Sequence, residues 1–94
     1  MYTQKDIARM LRGLGRTGDA LETIRPIYET LEVKQQPDGW IDEEMAECLL
    51  ATGRAEEARS LFGRAYETLR KDRWVIRNDP AKLERLKKMA RGSA

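Results

Sequence analysis

The chain has 94 residues, with 18 Lys and Arg against 16 Asp and Glu, no histidine and a single cysteine, giving a formal charge of +2. At that length it makes one domain at most and buries only roughly 60–65% of the surface its unfolded form exposes. The periodic spacing of its apolar residues argues against disorder and against a buried sheet. No apolar run reaches the roughly 18–20 residues a membrane span needs, and the opening has no signal-peptide hydrophobic region, so the expected setting is cytoplasmic.

In chain order, the first expected helix runs from about Thr3 to Leu14, with Thr3 and Asp6 spaced as a capping box. Gly15 then supplies a turn, and the second helix runs from about Thr17 to Val33. Pro26 lies inside it and lacks a backbone donor, so a kink or a later start is expected there. Pro37-Asp38-Gly39 marks a turn before a third helix, Trp40 to Thr52, and Gly53 separates that from a fourth, Ala55 to Lys71. Residues 72–78 mix β-branched and aromatic side chains and read as an extended connector. A fifth helix is expected from Pro80 to Arg91 with Asp79 as its cap; Leu83, Leu86, Met89 and Ala90 give it one apolar stripe on an otherwise charged surface.

The strongest signal is an internal repeat. Tyr28-Glu29-Thr30-Leu31 recurs as Tyr66-Glu67-Thr68-Leu69, a shift of 38 positions. At the same shift Ile7, Ala8, Leu11, Gly15, Arg16, Ala20, Ile24 and Ile27 fall on Met45, Ala46, Leu49, Gly53, Arg54, Ala58, Phe62 and Ala65. Each unit is thus a helix, a glycine turn and a second helix. Alanines allow the two helix axes to approach closely, and Leu11, Ile24, Leu49 and Phe62 fill the space between them.

This order of small, large, glycine and alanine positions resembles the tetratricopeptide repeat. The second unit matches through Ala46, Leu49, Gly53, Ala58, Phe62 and Ala65; the first matches through Ala8, Leu11, Gly15, Ala20 and Ile24 and departs at Ile27. The resemblance spans residues 3 to about 71. The early tryptophan and late proline of the family are missing, and the 38-residue spacing exceeds the family's period of about 34, which lengthens the connection around Val33 to Gly39. The resemblance implies a single all-α domain, a TPR-like right-handed solenoid of two stacked antiparallel hairpins (repeat one about 3–34, repeat two about 40–71) with a fifth, capping helix at 79–91. It also implies a protein-binding scaffold whose first helices line a concave groove. Carried over position by position, the groove would receive Tyr2, Lys5, Arg9, Arg12 and Gly13 from the first unit and Trp40, Glu43, Glu47, Leu50 and Ala51 from the second. Reversing Lys5, Arg9 and Arg12 to glutamate is then expected to abolish partner capture without lowering stability.

Charge is segregated: residues 38–60 carry seven acids and two bases, residues 70–94 nine bases and three acids. Solvated faces that attract each other are the simplest reading, and a bipolar groove the sharper one. Trp40 and Trp74 read first as packing anchors and Cys48 as a small core residue. Without histidine, and with one cysteine lacking a base partner, no catalytic constellation is present, so the chain reads as a binding protein, not an enzyme, with no metal or cofactor expected. Asp42, Glu43, Glu44 and Glu47 read as acids favoured by a helix start, and Gly13, Gly15 and Gly18 lack the strand and Lys-Ser/Thr of a phosphate loop.

Two rival readings stand beside this one. Residues Thr3 to Leu11 resemble the opening helix of a helix-turn-helix, but the acidic, apolar segment Asp19 to Ile24 is poorly suited to recognise nucleic acid. Two hairpins are also fewer than the three repeats that usually make a stable stack, so a monomer or a weak homo-oligomer is expected.

Overall fold

The computed structural model describes residues 2–92, which form helices α1 (Gln4–Gly13), α2 (Thr17–Lys34), α3 (Gly39–Ala51), α4 (Ala55–Leu69), α5 (Arg73–Asn78) and α6 (Pro80–Arg91). No strand occurs among these residues. The caps are local and chemically explicit. The Thr3 hydroxyl accepts from the Asp6 backbone N–H at 3.2 Å while the Asp6 carboxylate accepts from the Thr3 N–H at 3.1 Å, a closed capping box. Asp38 and Asp79 cap α3 and α6 by acceptance alone, their carboxylates taking the Trp40 N–H and the Lys82 N–H.

Both glycine turns are built alike. Gly15 and Gly53 take φ of +81° and +84°, a region that costs an L side chain strain, and each is followed by an arginine N–H that reaches back to a leucine carbonyl (Arg16 to Leu11 at 2.8 Å, Arg54 to Leu49 at 2.9 Å). The same arginines then pair with an acid three residues on, Arg16 with Asp19 and Arg54 with Glu57. The 38-residue repeat seen in the sequence therefore extends to individual hydrogen bonds.

In three places the structure departs from expectation. Helix α2 continues through Pro26 as one helix and starts at Thr17, the counterpart of Ala55, so the later start is the expectation that fails. Pro26 and Glu22 both lie on the solvent face, so water can serve the carbonyl that proline leaves without a donor. Residues 73–78 are helical, not extended, which makes the C-terminal helix the sixth. Asp72 accepts from Trp74 N–H at 2.8 Å and Val75 N–H at 3.2 Å, and Val75 is fully buried, so a cap and one tertiary contact outweigh the β preference of the segment. Finally, Gly39 is the first residue of α3 and is buried; a Cβ built there would lie 2.7 Å from Leu69 Cγ. Its role is close approach of two helices. Gly39→Ala is accordingly expected to destabilise by about 1–2 kcal/mol through overpacking, read as a lowered urea midpoint with unchanged slope.

The core runs the length of the domain. Ala8, Ala20, Ala46, Ala58 and Ala65 are completely buried, and Ile24, Leu49, Phe62, Leu69 and Leu86 fill the spaces they leave. α1 packs on α2 and α3, α2 on α3, α3 on α4, and α6 on α4 and α5. Leu86 is buried, with Leu83, Met89 and Ala90 half-buried around it, so α6 covers the face of α4 that the second hairpin leaves open. The consequence for the surface is that α1, α3 and α6 share one side of the molecule.

Candidate functional site

That shared side is a groove of about 640 Å³. Residues three and four apart on a helix lie on one face, and this periodicity brings Lys5, Arg9 and Arg12 of α1 opposite Trp40, Glu43, Glu44 and Glu47 of α3, with Lys82 and Arg85 of α6 closing the far wall. Of the residues the sequence placed in a groove, Lys5, Arg9, Arg12, Gly13, Trp40, Glu43 and Glu47 line it. Leu50 does not. It sits one turn beyond Glu47, where it lines a separate cleft of about 160 Å³ with Phe62, Met89 and Gly92. Tyr2 and Ala51 are exposed and do not line the groove.

The electrostatics differ from a basic wall facing an acidic one. α3 is an acidic floor between two basic walls, and ion pairs tie it to both. Arg12 Nε donates to Glu44 at 2.7 Å, Lys82 Nζ to Glu43 at 2.6 Å, and Arg85 pairs with Glu47. Glu44 is the most buried of the three carboxylates, and its bond to Arg12 holds the guanidinium pKa above its ordinary value. The opposed charge of residues 38–60 and 70–94 thus has a structural meaning, since Lys82 and Arg85 reach back to Glu43 and Glu47. Glu44, Lys82 and Arg85 were missed as groove residues by sequence reading, although that charge segregation was the signal for them.

Trp40 is half-buried against the core and also lines the groove, with the ammonium groups of Lys5 and Lys82 at 4.8 and 5.2 Å from its ring centroid. Trp74 meets it edge to face at a centroid separation of 6.1 Å and is 58% exposed, so it is an anchor with one side left to solvent. Cys48 is buried beneath the groove with its sulfur 3.8 Å from Glu44 Oε2; burial first, and then the neighbouring carboxylate, push its thiol up to about 11.

The acidic start of α3 is split between two faces. Asp42 points away from the groove toward Arg64 of α4, which also donates to the Tyr28 hydroxyl at 3.1 Å and pairs with Glu32 of α2. Arg64 Nε is 3.8 Å from Asp42 Oδ2, and that oxygen, buried, accepts no hydrogen bond. Burial pushes the Asp42 carboxyl up to about 6 against the opposing pull of Arg64. Among the described residues no group of three or more His, Cys, Asp or Glu side chains is arranged to hold a metal ion, and no helix is long and apolar enough to cross a membrane.

A second surface feature lies on α1, where Ile7, Met10 and Leu14 form an exposed stripe at steps of three and four. Their counterparts 38 residues on include Met45 and Cys48, which are buried in α3. The chain matches no family model, no curated protein and no solved structure.

Proposed function

We propose that this chain is a tetratricopeptide-like scaffold of two hairpins that holds a peptide or helix of a partner protein in the groove between α1, α3 and α6. The observation that carries the reading is the alignment of the first helix of each hairpin with α6 along a single concave surface, the second helices lying behind. Such a groove offers length, paired charge and an aromatic side chain, features suited to holding a polypeptide, and the reading involves no catalytic step.

Gly13 provides a test of the face that does not depend on charge. It lines the groove, and a Cβ placed there meets nothing within 4 Å. Gly13→Trp should therefore fill the groove, abolish partner capture by the immobilised domain and leave the melting temperature at or above that of the parent, since glycine in a helix costs about 1 kcal/mol relative to alanine. Capture that survives this substitution places binding on another face.

The exposed stripe on α1 favours a second reading, self-association through Ile7, Met10 and Leu14. It requires the mass seen by light scattering to rise with concentration and Met10→Lys to return it to that of a monomer. A constant monomer mass across a dilution series removes this reading.

A further inference from the structure

We propose that the outer side of the C-terminal cap, centred on α5, binds single-stranded nucleic acid, with Arg73 and Arg77 meeting phosphates and Trp74 stacking on a base. None of these three residues lines the groove, so the surface is independent of what the groove holds. The charge of the C-terminal segment leads to it. Of the nine bases in residues 70–94, Lys82 and Arg85 turn into the groove and Arg70 pairs with Glu67. The other six, Lys71, Arg73, Arg77, Lys87, Lys88 and Arg91, make no ion pair among the described residues, and all but Lys87 are exposed. Of the three acids in the same segment, Asp72 and Asp79 are taken up by the N–H groups that start α5 and α6, which leaves Glu84 alone against six cations.

The geometry of α5 selects the kind of polyanion. Val75 is its buried side; helical spacing puts Arg73 and Arg77 on the opposite crest, about 6 Å apart along the axis, with Trp74 and Ile76 on the two flanks. Trp74 is 58% exposed and no described cation lies over its ring, whereas the Trp40 ring already carries two ammonium groups. On α6, Lys88 and Arg91 stand opposite the buried Leu86 and add to the positive surface. A single strand can therefore run along the crest with its phosphates on the arginines and turn one base onto the free side of the indole. Other polyanions fit less well. An anionic membrane would have to take up Trp74 and Ile76 from opposite sides of two guanidinium groups, which prevents the pair from inserting together. An acidic peptide answers the arginines but leaves the indole unused, and a duplex hides the faces of its bases.

Fluorescence anisotropy of the intact chain with a labelled oligothymidylate tests the inference, with the duplex formed by its complement, a Glu-rich peptide and phosphatidylserine vesicles as competitors. The oligothymidylate should bind, quench the tryptophan emission and hold at least about tenfold more tightly than the duplex or the peptide. Arg73→Gln with Arg77→Gln should weaken it about tenfold and reduce the salt slope, log Kd against log salt, by about 1.4, or about 0.7 for each lost phosphate contact. Trp74→Ala should cost about tenfold and Trp74→Phe much less, because a phenyl ring still stacks. The arginine variants keep the result readable if the loss of Trp74 disturbs α5, since both arginines are exposed and unpaired among the described residues. Gly13→Trp, which fills the groove, should leave the affinity unchanged. The inference is overturned if the oligothymidylate fails to bind, if the salt slope ignores the Gln pair, or if Trp74→Ala binds as the parent does. It is equally overturned if the peptide or the vesicles displace the oligonucleotide at equal charge, or if Gly13→Trp abolishes binding, which would put the strand in the groove.

Discussion

Arg12→Ala is expected to lower the thermal midpoint by about 10–20 °C, corresponding to about 2–3 kcal/mol in a domain of this size. Glu44 is buried, and its two carboxylate oxygens lie 2.7 and 3.3 Å from the Arg12 guanidinium. Removing the arginine leaves a carboxylate in a desolvated site beside Cys48, and the cost is that of an orphaned charge more than that of a lost attraction. Arg12 is itself partly exposed, which keeps the figure below the full cost for a wholly buried pair. Two controls separate these contributions. Arg12→Met combined with Glu44→Leu should recover most of the lost stability, because no charge is then stranded, and Arg9→Ala should change the midpoint little, because Arg9 is exposed. A loss under about 1 kcal/mol for Arg12→Ala would mean that water reaches Glu44 when the arginine is gone.

This result also revises the charge-reversal experiment that the sequence suggested. Reversing Lys5, Arg9 and Arg12 together was expected to spare stability, but Arg12→Glu would place two carboxylates against each other at the α1–α3 contact. Only Lys5 and Arg9 can be reversed as surface charges. The spacing of residues along α1 revealed which side chains share a face, but not which of them the neighbouring helix had already engaged.

The same distinction separates what the sequence could show from what it could not. The hairpins were legible because their determinants are local: Gly15 and Gly53 end helices, Thr3 and Asp6 start one, and alanines alternate with Leu11, Ile24, Leu49 and Phe62 at helical spacing. Lys5, Arg9, Arg12, Gly13, Trp40, Glu43 and Glu47 of the groove followed from the family resemblance that this pattern carries, and Glu44 did not. Lys82 and Arg85 did not, because their direction depends on how α6 seats on α4 through Leu86, packing that no local pattern encodes. Leu50 lies outside the groove lining for a related reason. It shares a helical face with Glu43 and Glu47, but one turn farther along it lines a separate cleft with Met89 of α6. α5 was hidden by competing preferences within one short segment, where the β-branched Val75 and Ile76 argued for a strand while Asp72 supplied the cap that starts a helix.

Asp42 should make the domain less stable as pH rises from 5 to 7. Its folded-state value, about 6, lies above its ordinary 3.8, so between these values the native chain holds a proton that the unfolded chain releases. The contribution is fully present below 3.8 and is lost as pH passes through 6. The groups facing it are Arg64 from α4 and Glu32 and Tyr28 from α2, with Asp38 nearby; Arg64 pulls the value down, and burial outweighs it. The chain has no histidine, so no imidazole titrates in that window to mask the effect. Asp42→Asn carries an uncharged side chain of the same shape and should be more stable than the parent at pH 7 by about 2 kcal/mol. The gain should shrink toward zero as the pH falls to the ordinary carboxylate range, where both side chains are neutral. Arg64 keeps Glu32 and Tyr28 in the variant, so no cation is stranded. Unfolding midpoints of parent and variant at pH 5 and pH 7 are the measurement. If the parent is as stable at pH 7 as at pH 5, or the variant is less stable than the parent at pH 7, Asp42 is ionised in the fold and Arg64 supports it more strongly than their 3.8 Å separation implies.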